Sequence, residues 1–241
     1  MDLQAVRGWL LQFEAIFFDF DGVIGDSELT KAEIWKRLFN EYGISEPGDT
    51  WYQAHIGRTR MDHCVDMVDT FHLSVAPAVI ADQQKAMEFA AFHDEFVPPI
   101  EPMVQLVKRL YEDNVTLGVA SSQHRAIVER QLEHMGIRHC FRDVVSCEDD
   151  CPTQGKPNPR IYQLAAERLN VDPHKCAGIE DTESGHVAVA DAGMFCIGFE
   201  NPNSGRQNFP RADLVLGFPD VQALNPLLGI YRALSSVGGD Y

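Results

Sequence analysis

Positive charge is what this 241-residue chain is short of: 20 Lys and Arg stand against 36 Asp and Glu, a formal net charge of −16. It has no basic excess with which to displace counterions from a nucleic-acid backbone, which argues against broad nucleic-acid binding. An anionic small substrate would need positive charge supplied locally, against an unfavourable overall field. No apolar stretch approaches the roughly 20 residues of a membrane span. The apolar patch Trp9-Leu10-Leu11 lacks the basic leader, long apolar core and small-residue cleavage site of a secretion signal. Cysteine is sparse, with six at 64, 140, 147, 151, 176 and 196, and neither CxxC spacing nor a finger-like partner pair accompanies them. Reduced, mostly buried thiols in a cytoplasmic protein are expected. No internal repeat or low-complexity tract stands out. What remains, 45% hydrophobic and 23% charged residues, is ordinary globular composition, enough for one large domain or two small ones.

Unalternating apolar runs recur at Ala15–Phe18, 115–120, 144–145, 176–179, 195–199 and 214–216. Such runs suit parallel strands covered on both faces. Helical patterns separate most of them. Pro102 could start one helix, with Val104, Val107, Leu110 and Tyr111 on one face, and Pro159 another, with Ile161, Leu164, Ala165 and Leu169 inward. The alternation predicts an α/β fold, a doubly wound parallel sheet with helices on both sides. Strand patterns are missing from residues 28–96. There Ile34-Trp35-Leu38-Phe39 has helical spacing, Val65, Val68 and Leu73 follow it more loosely, and Pro98-Pro99 closes the stretch stiffly. We read 28–96 as an all-α cap inserted after the first strand, with hinges near 25–28 and 97–99. Residues 1–27 and 97–241 form the core, and the tail, 235–241, is expected to fray.

Ligands of a doubly wound sheet sit beyond the carboxyl ends of its strands. Four segments place reactive groups there. Asp19-Phe20-Asp21-Gly22-Val23 follows the first strand, and alternation lets residues 19 and 21 point the same way before Gly22 turns the chain. Two acids so held can bind a divalent cation or divide the work of nucleophile and proton carrier, or simply form an acidic turn. Ser121-Ser122 follows 115–120, where a serine can also cap a helix or help an N-terminus bind an anion. Lys156 stands in Gly155-Lys156-Pro157-Asn158-Pro159, which is not a Walker loop, and alone it could be a solvated lysine. Glu180-Asp181 precedes Thr182-Glu183-Ser184-Gly185 and could be an acidic helix start. In this order the four supply what phosphoryl transfer requires: a nucleophile, a metal site, and groups for the equatorial oxygens.

With these motifs the chain resembles the haloacid dehalogenase superfamily over nearly its whole length. Asp-x-Asp-Gly-Val, the hydroxyl after a strand, Gly-Lys-Pro-x-Pro and Gly-Ile-Glu-Asp-Thr-x-x-Gly are jointly specific. The insert resembles the small helical cap of the subgroup containing beta-phosphoglucomutase and many sugar-phosphate phosphatases. Asp21 stands where carbon–halogen hydrolases of the superfamily carry tyrosine, which argues against dehalogenation.

The resemblance implies that Asp19 is the nucleophile and becomes an aspartyl phosphate, while Asp21 protonates the leaving oxygen and then takes a proton from water. It implies Mg²⁺ held by Asp19, the Asp21 backbone carbonyl, Asp181 and Glu180. Ser121 and Lys156 would hold the phosphoryl oxygens, with Ser122 and Gly22 among the substrate-binding residues. In the cap, Arg60 stands three residues after Gly57, the spacing of an arginine that contacts a distal phosphate in the mutase, and Arg58 is a second candidate. The mutase also carries a histidine twelve residues after its nucleophile, where this chain has Lys31. That departure favours a Mg²⁺-dependent phosphatase of a small phosphorylated metabolite over a phosphomutase, and both over a non-catalytic protein on the same scaffold. The implied partner is that metabolite, with neither nucleic acid nor membrane, and nothing in the sequence sets an oligomeric state. The segment Glu148-Asp149-Asp150 is expected as a solvated loop.

Overall fold

The computed structural model describes residues 8, 10–45, 51, 52, 55, 60–205 and 207–224. The core strands are β1 (Ala15–Phe18), β2 (Thr116–Ser121), β3 (Asp143–Ser146), β4 (Cys176–Glu180), β5 (Phe195–Glu200) and β6 (Leu214–Gly217). They form one parallel sheet in the order β3-β2-β1-β4-β5-β6. The chain winds outward from β1 to β3, then returns to the other side of β1 and winds outward again. The direction therefore reverses at β1/β4, with Phe18 opposite both Val119 and Ile179.

Alternation sorts each strand onto two apolar layers. Ile16 and Phe18 face a cluster built with helices α4 (Glu101–Glu112) and α5 (Arg125–His134). Ala15 and Phe17 face another, packed on α7 (Arg160–Leu169) and α8 (Glu183–Asp191). Apolar side chains cover both faces, so β1 is buried along its whole length, as expected for a continuous apolar run.

Between β1 and α4 lie α1 (Glu28–Glu41), α2 (Arg60–Phe71) and α3 (Pro77–Asp94), with no strand among the described residues of that stretch. They enclose their own apolar cluster, including Trp35, Leu38, Phe39, Cys64, Met67 and Ile80. The face of α2 differs from the sequence expectation. Cys64 and Met67 are buried, while Val65 is exposed, because the apolar stripe runs through 64, 67, 68 and 71 at helical spacing. The two connections pair with each other: Gly25 bridges Pro99, and the Asp26 amide donates to the Pro98 carbonyl at 2.8 Å.

Two other expectations change. Tyr111 on α4 is exposed rather than inward. Glu148-Asp149-Asp150 is no solvated loop but part of a short helix, α6 (Cys147–Asp150). Asp150 receives two bonds from Arg125 and one from Arg168, and Glu148 receives Lys85. Opposite charges on α3, α5 and α7 hold this acidic run. All six cysteines are free and buried. No helix of the described residues is long and apolar enough to cross a membrane. Arg58 and the tail 235–241 lie outside the described residues.

Candidate active site

The reversal at β1/β4 leaves a crevice beyond the strand ends, and register decides which side chains enter it. The Asp19 amide donates to the Ile179 carbonyl at 3.0 Å. The ladder thus continues one residue past Phe18, and Asp19 comes beside Glu180 and Asp181. One oxygen from each of these three buried acids lies within 4.8 Å of the others.

Lys156 reaches the same point from the loop before α7. Its Nζ donates to Asp19 Oδ1 at 2.8 Å and to the Ala120 carbonyl at 3.0 Å, and lies 2.6 Å from Glu180 Oε1. The Tyr162 hydroxyl also donates to Glu180 Oε1, at 2.5 Å, with its ring beneath the ammonium. Asp181 Oδ2 accepts from the Ser204 hydroxyl. Asp181 Oδ1 and Glu180 Oε2 are buried without a hydrogen-bond partner among the described residues. Such orphaned acceptors are costly unless something else meets them. All donors in the cluster are hard oxygens, the set Mg²⁺ prefers. The residues therefore fit the expected ion.

Burial pushes the Asp19 carboxyl up to about 6; Lys156 opposes the shift, and Glu180 adds to it. Burial likewise pushes Asp21 up to about 6, against the pull of Lys31. Asp181 is held well above the usual carboxylate range, by burial first and then by Asp19 and Glu180. Lys156 rises despite its burial, because Asp19 and Glu180 stabilise the ammonium. Crowded acids short of positive charge describe the electrostatics of the crevice.

The crevice opens into a cavity of about 500 Å³ roofed by α1–α3. Asp19, Asp21, Ser122, Lys156, Glu180 and Asp181 line its floor. Ser121 is fully buried at the end of β2, where its Oγ accepts from the Gln123 amide at 3.1 Å. Gly22 turns the chain at φ 76°, and its carbonyl accepts from Asn201 Nδ2 at 2.9 Å. On the roof, Lys31 Nζ donates to Glu28 at 3.0 Å and lies 3.7 Å from Asp21 Oδ1, while Tyr52 donates to the other Glu28 oxygen at 2.9 Å. Arg60 is committed to three acceptors: Gln84 at 2.5 Å, Glu88 at 3.1 Å and Glu148 at 3.5 Å. Glu88 also accepts from Gln84 and Gln123. Burial works to raise the Glu88 carboxyl, but Arg60 and Lys31 overcome it and hold it below the usual range.

Sequence reasoning missed Glu28, Tyr52, Gln84, Glu88, Gln123 and Ser204. Ser204 had a signal, since it follows β5 at the same carboxyl edge as Asp19. Glu28 and Lys31, three apart on α1, were a second. Glu88 had none, because only the packing of α3 over the sheet brings it to the cavity.

Residues 16–199 match the family described as haloacid dehalogenase-like hydrolase. Validoxylamine A 7'-phosphate phosphatase of Streptomyces hygroscopicus subsp. limoneus is 29% identical over 205 residues, covering 85% of this chain and 93% of that protein. Beta-phosphoglucomutase of Bacillus subtilis (strain 168) is 28% identical over 192 residues, covering 77% and 82%. Among solved structures, beta-phosphoglucomutase from Clostridium difficile shares the fold with a TM-score of 0.65 at 23% identity, covering 92% of this chain and 99% of its own. The match runs from the first strand into the fifth and includes Asp19, Asp21, Lys156, Glu180 and Asp181, so the chain belongs to the haloacid dehalogenase-like hydrolase family.

Proposed function

We propose that this chain is a Mg²⁺-dependent phosphoric monoester hydrolase that acts on a small phosphorylated metabolite, of the sugar-phosphate class, through an aspartyl phosphate. The observation that carries the reading is the meeting of Asp19, Lys156, Glu180 and Asp181 at one crevice, with Asp21 facing the same cavity. Kinship with a named phosphatase supports the same reaction class. In this reading 28–96 is the cap, and 1–27 with 97–241 the catalytic core.

Lys156 occupies Asp19 Oδ1, which leaves Oδ2 to attack phosphorus. The bond from phosphorus to the leaving oxygen breaks, and the phosphoryl group stays on Asp19. Asp21, with its carboxyl near 6, gives its proton to the departing alkoxide. Ionised, it takes a proton from the water that attacks phosphorus and releases phosphate and free Asp19. Lys156 would hold the equatorial oxygens together with Ser122, which lines the cavity, in place of the expected Ser121, which is fully buried with its Oγ accepting from the Gln123 amide. Asp19, the Asp21 carbonyl, Glu180 and Asp181 would hold Mg²⁺, which when bound supplies the charge that lets a dianion approach these acids.

A phosphomutase is the second reading, favoured by the Bacillus relative. Lys31, paired with Asp21 and Glu28, argues for hydrolysis. The test is phosphate release from sugar monophosphates with Mg²⁺ and with a chelator, for the wild type and Asp19→Asn. Release that needs both Mg²⁺ and Asp19 is expected. A bisphosphate-dependent isomerisation with almost no free phosphate would transfer the case to the mutase.

A further inference from the structure

Asp181 is held from outside the crevice. β5 lies next to β4, with Gly198 opposite Glu180, so the turn that follows β5 comes beside the acid that follows β4. That turn, 201–204, is tightly built. The Asn201 side chain accepts from the Asn203 amide at 2.9 Å, and the Ser204 amide donates to the Asn201 carbonyl at 3.1 Å. Asn201 Nδ2 donates to the Gly22 carbonyl at 2.9 Å. Gln207 donates to the Ser204 carbonyl at 2.9 Å and accepts from the Glu183 amide at 3.1 Å. The turn is thus tied both to the loop after β1 and to the start of α8. Ser204 ends it, fully buried, and its hydroxyl donates to Asp181 Oδ2. The family match stops at residue 199, short of this turn.

The last torsion of an aspartate is broad and roughly two-fold, so the side chain alone does not choose which oxygen it presents. Two neighbours make that choice here. Oδ2 is taken by Ser204 and packs against Gly22, where a β-carbon would overlap it. Oδ1 is left buried without a hydrogen-bond partner among the described residues. Resting on the Mg²⁺ reading above, we propose that Ser204 is a positioning residue for the cation site: it fixes the rotation of the Asp181 carboxylate, so that Oδ1 is the oxygen left for a divalent cation. Ser204 does not line the cavity, so it acts through Asp181 and not on the substrate. Partners that orient a metal ligand in this way set metal affinity by about 10–100-fold.

The experiment titrates Mg²⁺ into the substrate-free protein by calorimetry, and separately follows phosphate release from p-nitrophenyl phosphate against Mg²⁺ concentration. Ser204→Ala should weaken binding about 10–100-fold. The Mg²⁺ needed for half-maximal release should rise by a similar factor, with most of the release recovered at saturating Mg²⁺. Asn203→Ala is the control. It removes the 2.8 Å bond to Asp26 from the same turn without touching Asp181, and should leave Mg²⁺ affinity unchanged. Ser204→Cys keeps nearly the same shape with only a weak donor. It should lose affinity as alanine does, and it carries the test where the alanine variant does not fold. Unchanged affinity in folded Ser204→Ala or Ser204→Cys would overturn the proposal. An equal loss in Asn203→Ala would overturn it too, since that is the mark of a turn merely loosened. Absence of Mg²⁺ binding by the wild type would remove the Mg²⁺ reading itself, whereas wild-type binding indifferent to residue 204 would remove this inference alone.

Discussion

Gly22 and Asp181 occupy space that only a glycine permits: a β-carbon on Gly22 would overlap the Asp181 carboxylate and come within 2.9 Å of the Ser204 hydroxyl. The turn after the first strand thus sets where the acid after the fourth strand can stand. Gly22 also sits at φ 76°, where a side chain costs about 1–2 kcal/mol. Gly22→Ala should destabilise the protein by about 1–3 kcal/mol and displace one oxygen of the acidic cluster. Phosphate release should fall at least tenfold, with a weaker response to Mg²⁺. Full activity at unchanged Mg²⁺ dependence would show that Asp181 has room to spare.

The acidic cluster itself predicts a stability response to Mg²⁺. Asp19, Glu180 and Asp181 crowd together with orphaned oxygens, so a divalent cation should stabilise the folded state by about 2.7 kcal/mol at a hundredfold excess over Kd. Thermal unfolding should shift upward with Mg²⁺ in the wild type and much less in Asp181→Asn. Because Asp19 and Asp181 hold their protons above the ordinary carboxylate range, binding near pH 6 should release protons, and affinity should fall as pH drops below about 6. Binding that stays equally tight at pH 5 would contradict this electrostatic account.

Much of the fold could be read in advance because parallel strands buried on both faces leave an unalternating apolar signature. The runs at Ala15–Phe18 and 176–179 lie where β1 and β4 do. The floor of the site was equally legible, since position at a strand's carboxyl end is a local property of Asp19, Asp21, Lys156 and Glu180-Asp181. The roof was not. Arg60 was readable as a cation, but its partners Glu88 and Glu148 lie 28 and 88 residues away and meet it only after α3 docks over the sheet. Glu148-Asp149-Asp150 misled for the same reason. An acidic run looks solvated until the arginines of α5 and α7 and the basic residues of α2 and α3 are known to surround it.

Lys156 should govern the pH at which the nucleophile is ready. It lowers the Asp19 carboxyl against the raising effect of burial. Removing it in Lys156→Met leaves desolvation and Glu180 unopposed, so Asp19 should ionise only at higher pH. The acid limb of kcat/KM in saturating Mg²⁺ should move upward, and turnover at neutral pH should fall steeply. The stability cost should be about 3–5 kcal/mol, as for a buried pair losing one partner. An acid limb at its original pH would mean that the bound metal alone sets the ionisation of Asp19.

Asp150 offers a test of stability away from the cavity, which it does not line. It accepts two bonds from Arg125, at 2.5 and 2.6 Å, one from Arg168 at 2.5 Å and one from the Ser146 amide at 2.9 Å. It thereby ties β3 to α5 and α7. Burial works to raise its carboxyl, but the bond from Arg125 leads the effects that bring it below the ordinary value. A depressed folded-state pKa contributes stability above the unfolded value, about 3.9, and loses it as pH falls through the lower folded value. Asp150→Asn should therefore cost about 1.5–3 kcal/mol at pH 7, as little changed at pH 5. The difference from the wild type should shrink only below about pH 4, where the unfolded carboxyl binds its proton first. Urea unfolding across that range measures it. A gap that is flat from pH 7 to 3 would mean that Asp150 acts through hydrogen-bond geometry that asparagine cannot copy, and not through its charge.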